Sequence, residues 1–367
     1  MIRASLAVCA AIFVLVASSC APPGPPAPAA VNATCADGSL FLSHVQMLDP
    51  NFLPNGSGAP VGEPFNGSPA MSNDLANAFI HAPPGFQQRL CGLSGIYICP
   101  SSPSAKCNLP SSDANFAGAW GYRSRAPVDS GKTYIAISAK LWSGAGSAIA
   151  LHDYETKLLQ SFKGAGASSV YSATPDDSWM TVLAALAHEV GHVRFVQTVK
   201  ANGSYNFTPL LNCPTGDFFA DWNYQHASTT HPHMQPLNGW RAFADRANQA
   251  GQSIDHSAAP YLSQLDSGPP GSYPYLYDLY QSNQPWASLF GAQTPDEDFV
   301  ETYVIAVLTG YANTASGPSF AGPLTSLPLA IPNITGPGIT NKHADVPNDL
   351  VTKNKSALTK RMACLIY

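Results

Sequence analysis

Charged side chains are scarce in this 367-residue sequence, where they make up 11% of the residues. The 18 Lys and Arg residues are outnumbered by 23 Asp and Glu residues, which gives a net charge of −5 at pH 7. Proteins that bind nucleic acids present clustered positive charge to the phosphates, and no such cluster occurs here. We therefore expect no nucleic-acid partner.

Closely spaced cysteine pairs are also missing. Zinc sites built from cysteine use ligand pairs separated by a few residues, whereas the closest cysteines here have seven residues between them. After residue 20 the sequence contains six cysteines: Cys35, Cys91, Cys99, Cys107, Cys213 and Cys364. An even number in an exported chain predicts three disulfides, whose connectivity the sequence leaves open.

No apolar run is long enough to predict a membrane span. In residues 1–20, Arg3 precedes a short apolar run that ends in small residues and Cys20, a pattern typical of a signal peptide. Cys20 is either an acylated lipoprotein cysteine, which would anchor the chain to a lipid surface, or part of an ordinarily cleaved signal. Both alternatives predict an exported protein that is secreted, periplasmic or lipid-anchored at a membrane surface.

Residues 21–34 are rich in Pro and Ala and predict an extended tether, which leaves residues 35–367 as one globular domain. Runs typical of β-strands at residues 95–100, 119–124 and 132–142 predict a sheet in its N-terminal part. Residues 178–200 have apolar positions at helical spacing, and a second helix is predicted over residues 296–311. The long connection between these helices is expected to wall a cleft.

The motif His188-Glu189-Val190-Gly191-His192 lies within the first predicted helix. Residues four apart project from one face of a helix, so two imidazoles at this spacing can share one Zn²⁺ ion. A carboxylate beside the metal can take a proton from the attacking water and pass it to the leaving amine. The motif therefore predicts zinc-dependent hydrolysis, with His188 and His192 as ligands and Glu189 as the catalytic base.

Glutamate is rare, with five residues in the whole chain, yet Glu297 and Glu301 lie four apart on the second predicted helix. A catalytic zinc site needs a third protein ligand, and the segment after His192 lacks the Gly and third His that metzincins place there. The combination of HEVGH and Glu297-Asp298-Phe299-Val300-Glu301 resembles the gluzincin group of zinc peptidases, to which thermolysin-like enzymes belong. The resemblance implies Glu297 as third zinc ligand and Glu301 as hydrogen-bond partner of a ligand histidine.

Other residues compete for these roles. The loop histidines His226, His231 and His233 offer a different third imidazole, although Pro232 argues against rigid presentation. The residue that stabilises the oxyanion could be any of five tyrosines in the long connection, and the sequence does not select among them: Tyr224, Tyr273, Tyr275, Tyr277 and Tyr280. The runs 120–123 and 134–138 are either an edge strand that binds an extended peptide or ordinary core strands.

Together these patterns predict an α+β, zincin-like metallopeptidase, with a β-containing N-terminal lobe and a helical C-terminal lobe around the active-site helix. Its expected cofactor is Zn²⁺ and its expected substrate is a peptide or protein. The alternative is an exported lipoprotein or binding module with a structural, non-catalytic zinc site, although such a site would not need Glu189. Hydrolysis of a non-peptide amide would use the same chemistry.

Overall fold

A computed structural model describes the fold over the following parts of the chain: residues 35, 37–52, 60–102, 105, 107, 119–123, 133–142, 146–151, 166–167, 177–201, 204–205, 210, 213, 218, 295–314, 317–324, 334–335 and 358–365. The predicted signal peptide with Cys20 and the predicted tether lie outside these residues, as do the loop histidines and the five tyrosines. None of the helices within the described ranges is long and apolar enough to cross a membrane.

The described chain is a mixed α/β protein. Its helices are α1 (Gly38–His44), α2 (Pro69–Ile80), α3 (Pro84–Gly92), α4 (Ser178–Val199), α5 (Pro295–Thr309) and α6 (358–364). Its strands are β1 (Val45–Leu48), β2 (Gly62–Pro64), β3 (Gly95–Cys99), β4 (Ala119–Arg123), β5 (Thr133–Ser138), β6 (Gly166–Ala167), β7 (Lys200–Ala201), β8 (Ser204–Tyr205), β9 (Tyr311–Thr314), β10 (Gly317–Phe320) and β11 (Ile334–Thr335).

Five strands form the main sheet in the order β2-β1-β3-β5-β4. Strands β1, β3 and β5 run parallel, whereas β2 and β4 are antiparallel to their neighbours and form the two edges. The run at residues 134–138 is therefore an inner strand, and the run at 120–123 belongs to an edge strand. The predicted N-terminal sheet is confirmed, but α1, α2 and α3 accompany it, so this part of the chain is not mainly β.

The two faces of this sheet contact different cores. Ile96, Ile98, Ile135 and Ile137 face the large cluster that contains the helices. Their neighbours in sequence, including Tyr97, Cys99, Tyr134 and Ala136, belong to a smaller cluster on the opposite face. Side chains alternate across a strand, and burial on both sides explains why these strands are continuously apolar.

Helix α4 passes through the large core and packs most extensively on α5, with further contacts to α2, β4 and β5. Most of its residues between Met180 and Phe195 are buried, as expected for a helix that is apolar around most of its circumference. Helix α5 ends at Thr309 because Gly310 adopts a left-handed conformation with φ of 56°, and an added Cβ would lie 2.4 Å from the Gly322 backbone nitrogen. Both helices predicted from the sequence are confirmed.

All six cysteines predicted to pair do so, as Cys35–Cys91, Cys99–Cys107 and Cys213–Cys364. The first disulfide ties the start of the described chain to α3, and the second lies in the smaller core. The third joins residues 151 positions apart in sequence, and so connects the chain between α4 and α5 to α6. Three disulfides indicate a protein that folds in an oxidising environment.

Candidate metal centre

The two histidines of the HEVGH motif lie side by side on α4. Their rings meet edge to face with centroids 4.9 Å apart, and Nε2 of His192 lies 3.2 Å from Nε2 of His188. Both side chains are partly buried. The one-turn spacing along the helix therefore brings two imidazole nitrogens to a common point, as the sequence pattern requires.

The separation of these nitrogens can be compared with that in a metal site. A tetrahedral zinc ion with Zn–N bonds of about 2.0–2.1 Å holds two ligand nitrogens about 3.3–3.4 Å apart. The 3.2 Å between the histidines is close to this value. Two neutral imidazoles are also suitable donors for zinc, so the pair fits a shared ion in both distance and chemistry.

Helix α5 contributes a carboxylate to this pair. Oε1 of Glu301 lies 2.9 Å from Nδ1 of His188, where the histidine side chain is 21% exposed and that of Glu301 is 7% exposed. The Nδ1–H group donates to the carboxylate, which leaves the lone pair on Nε2 of the neutral ring. This contact is the one that the prediction for Glu301 calls for, and it fixes the ring orientation of His188.

A glycine allows the two helices to approach closely at this point. A Cβ atom added to Gly191 would lie 3.2 Å from both Cα and Cγ1 of Val300, which is tighter than ordinary van der Waals contact. Val300 directly precedes Glu301 on α5. The glycine inside the HEVGH motif thus sets the distance between the helices where Glu301 reaches His188.

Glu189 occupies an unusual environment. Its side chain is fully buried, and neither carboxylate oxygen has a hydrogen-bond partner within the described parts of the chain. Burial disfavours the charged form and raises the pKa of Glu189 well above the usual value of 4.5. Carboxyl groups with raised pKa values are common among catalytic acids and bases, because they exchange protons near neutral pH.

The third ligand is not settled by these contacts. Glu297 lies in the first turn of α5, one turn before Glu301, but its side chain lies outside the part of the chain that is described. Among the described residues, no three His, Cys, Asp or Glu side chains come together as a metal-binding group. The roles of Glu297 and of the loop histidines His226, His231 and His233 therefore stay predictions.

Two buried polar residues near the helices were not identified as important from the sequence. Asp298 in the first turn of α5 is 0% exposed and pairs with Arg361 of α6. Asp74 on α2 is 5% exposed and accepts a hydrogen bond from Ser178 at the start of α4. For Asp298, the available sequence signal was an Arg within the apolar C-terminal sequence. No sequence signal marked Asp74.

No protein-family model matches the chain, and no curated protein or solved structure shows significant similarity to it. The function is therefore argued from the residues of the site. Its firm elements are two facing imidazoles, a carboxylate that orients one of them, and a buried carboxyl group next to them in sequence.

Proposed function

We propose that this protein is an exported, zinc-dependent peptidase of the gluzincin type with a zincin-like α+β fold. The observation that carries the proposal is the contact set of His188, His192 and Glu301, which joins two helices through residues 113 positions apart in sequence. A chance HExxH sequence on a core helix would have no reason to orient its first histidine with a buried carboxylate. The three disulfides support export.

In this proposal, His188 and His192 bind zinc through Nε2, Glu297 is the third ligand, and Glu301 holds the His188 ring by accepting its Nδ1 proton. Zinc supplies Lewis acidity, which lowers the pKa of a bound water and polarises the substrate carbonyl. Glu189 takes the proton of the attacking water on a carboxylate oxygen and returns it to the leaving amine.

The sheet supports a peptide as the substrate. Strand β4 forms one edge of the main sheet, and it also contacts α4, the helix that carries the two histidines. An edge strand offers backbone donors and acceptors with which an extended peptide can pair. A peptide bound along β4 would therefore run beside the proposed metal-binding helix.

The test combines zinc analysis with a cleavage assay on a mixed peptide library. We expect one zinc ion per wild-type chain, its loss or weakening in His188→Ala and Glu297→Ala, and abolished cleavage in Glu189→Gln with zinc retained. His81→Ala and Glu63→Gln are matched controls, because both side chains are exposed and neither belongs to the site. These two variants should keep both zinc and activity.

Each failure has a separate meaning. A Glu297→Ala variant with full zinc content contradicts the third-ligand assignment alone. One zinc ion per chain without any cleavage contradicts the peptidase proposal and favours a structural zinc site in a binding module. Cleavage of non-peptide amides in place of peptides would keep the mechanism and change the substrate.

A further inference from the structure

Helix α6 at the C-terminus is anchored into the same core as the metal-binding helices. Leu358, Met362 and Leu365 are each at most 4% exposed and belong to the large cluster. Cys364 forms a disulfide with Cys213, which belongs to the connection between α4 and α5. The C-terminal segment is therefore attached covalently at Cys213 and by burial in the large core.

A buried ion pair links α6 directly to α5. Arg361 is 2% exposed and its guanidinium contacts the carboxylate of Asp298, which is 0% exposed. Asp298 lies in the first turn of α5, between Glu297 and Glu301. Removing one partner of such a pair leaves a buried charge without compensation, so the pair holds the start of α5 against α6.

Aromatic contacts extend this link to α4. The Arg361 guanidinium carbon lies 5.4 Å from the ring centre of Phe218. Phe218 packs on Phe299 of α5 with ring centres 5.7 Å apart, and Phe299 packs on Phe195 of α4 at 5.4 Å. We call Arg361, Asp298, Phe218 and the Cys213–Cys364 disulfide the C-terminal clamp.

We propose that the C-terminal clamp is a positioning element of the metal site, which fixes the first turn of α5 and thereby holds Glu301 against His188. The inference rests on the proposed function, because it assigns a role in metal binding to residues that do not touch the metal. The hydrogen bond of 2.9 Å between His188 and Glu301 is lost once the two atoms are about 3.6 Å apart, which is a shift of less than one ångström. Small movements of α5 would therefore release the His188 ring.

The experiment compares two disulfides in the full-length protein. Cys213→Ser/Cys364→Ser opens the clamp, whereas Cys35→Ser/Cys91→Ser removes a more deeply buried disulfide that ties the start of the described chain to α3. Arg361→Lys is the third variant, because Lys keeps the charge but lacks the planar fork of the guanidinium. Zinc dissociation constants are measured by chelator competition, at a temperature where circular dichroism shows each variant folded.

A second measurement does not depend on the metal. In the zinc-free protein, nitrogen NMR of the imidazoles reports which ring nitrogen of His188 carries the proton. We expect the Nδ1–H form in wild type and in the Cys35/Cys91 variant, and a mixture of forms in both clamp variants. We also expect zinc affinity to fall about tenfold or more in the clamp variants, as for other partners that orient metal ligands, and to stay within about twofold in the control.

Clamp variants that keep the wild-type zinc affinity and the Nδ1–H form would overturn the proposal. If Cys213→Ser/Cys364→Ser does not fold, Arg361→Lys decides the question by the same two measurements. If the wild-type protein binds no zinc, the proposed function fails, but the protonated form of His188 in the zinc-free variants still tests whether the clamp positions Glu301.

Discussion

Asp74 on α2 and Glu189 on α4 are both buried carboxyl groups, but they differ in the hydrogen bonds that surround them. Asp74 accepts hydrogen bonds from the indole nitrogen of Trp142 at 2.9 Å, the backbone nitrogen of Ala148 at 2.7 Å and the hydroxyl of Ser178 at 2.7 Å. Glu189 accepts none from any residue that the structure describes. A buried carboxylate with three donors stabilises the fold, whereas one without donors opposes folding.

The difference separates two parts of α4. At its start, Asp74 joins α2, the segment after β5 and the first residue of α4, so this end of the helix is fixed by satisfied polar contacts. In the middle of α4, the HEVGH segment carries the carboxyl group of Glu189, which no hydrogen bond from the described residues stabilises. Unfavourable burial of this kind is typical of functional sites, which agrees with the catalytic role proposed for Glu189.

The largest expected effect is on stability, from removing the satisfied carboxylate. Asp74→Ala leaves the buried donors of Trp142 and Ala148 without an acceptor, and should lower the free energy of unfolding by about 3 to 5 kcal/mol. Urea unfolding followed by tryptophan fluorescence measures this. Asp74→Asn is the control, because the amide oxygen can serve the two nitrogen donors and the amide nitrogen can donate to Ser178. An Asp74→Ala protein as stable as wild type would remove the contrast with Glu189.

The next effect concerns the carboxylate that orients His188. Glu301→Gln keeps an acceptor for the Nδ1–H group but removes its charge, so zinc affinity should fall by about 10-fold to 100-fold. Isothermal titration with zinc in a competing chelator measures the change, and Glu63→Gln on exposed strand β2 is the matched control. Equal affinities in the two variants would show that the contact between α4 and α5 does not serve metal binding.

A third effect should appear as a change of stability with pH in the zinc-free protein. The pKa of Glu189 is raised in the folded state, so between the unfolded value near 4.5 and the folded value the native state holds a proton that the unfolded state has lost. The contribution of Glu189 to the free energy of unfolding is fully present below the pKa of the unfolded state. It decreases as pH rises towards the pKa of the folded state, by at most about 1.4 kcal/mol per pH unit.

Glu189→Gln removes this titration, so the variant should gain stability relative to wild type as pH rises above about 4.5. Parallel urea titrations of both proteins at several pH values measure the difference, which should be small at the acid end. A constant difference across the range would mean that Glu189 titrates normally in the folded protein.

The smallest effect is expected at the helix crossing. Gly191→Ala should change the free energy of unfolding by less than about 1 kcal/mol, because the better helix propensity of Ala offsets the tight contact with Val300. Zinc affinity should nevertheless fall a few-fold, since α5 must move slightly away. Gly92→Ala, where an added Cβ meets no atom within 4 Å, is the control and should leave zinc affinity unchanged.

Local sequence patterns were sufficient for the elements that carry the site. The apolar spacing over residues 178–200 predicted α4, and the prediction over residues 296–311, with Pro295 and Gly310 near its ends, matches α5 to within about two residues. Cysteine number predicted the disulfides, but their connectivity depends on the three-dimensional path of the chain. Helix α2 has a mixed composition around Asn73, Asp74 and Asn77, and the sequence did not mark it as a helix.

Long-range partners were harder to predict. A hydrogen bond between Glu301 and a ligand histidine was expected only through a resemblance to gluzincins, and no local rule selects His188, which lies 113 positions away. The pairs Asp298–Arg361 and Asp74–Ser178 were not expected at all. Charged residues normally lie on the surface, so a sequence alone does not show that one of them is buried. The burial becomes apparent only in the folded structure, where a partner from a distant segment lies beside it.

The packing of α4 also has a consequence for how the chain matures. Its contacts with α2, β4 and β5 can form as soon as α4 is made, but the surface at Gly191 stays uncovered until α5 follows 95 residues later. At ordinary synthesis rates of about 5–20 residues per second, this interval lasts about 5 to 20 s. During that time a largely apolar helix face is open to wrong partners, so folding yield should depend on how quickly the C-terminal third of the chain emerges.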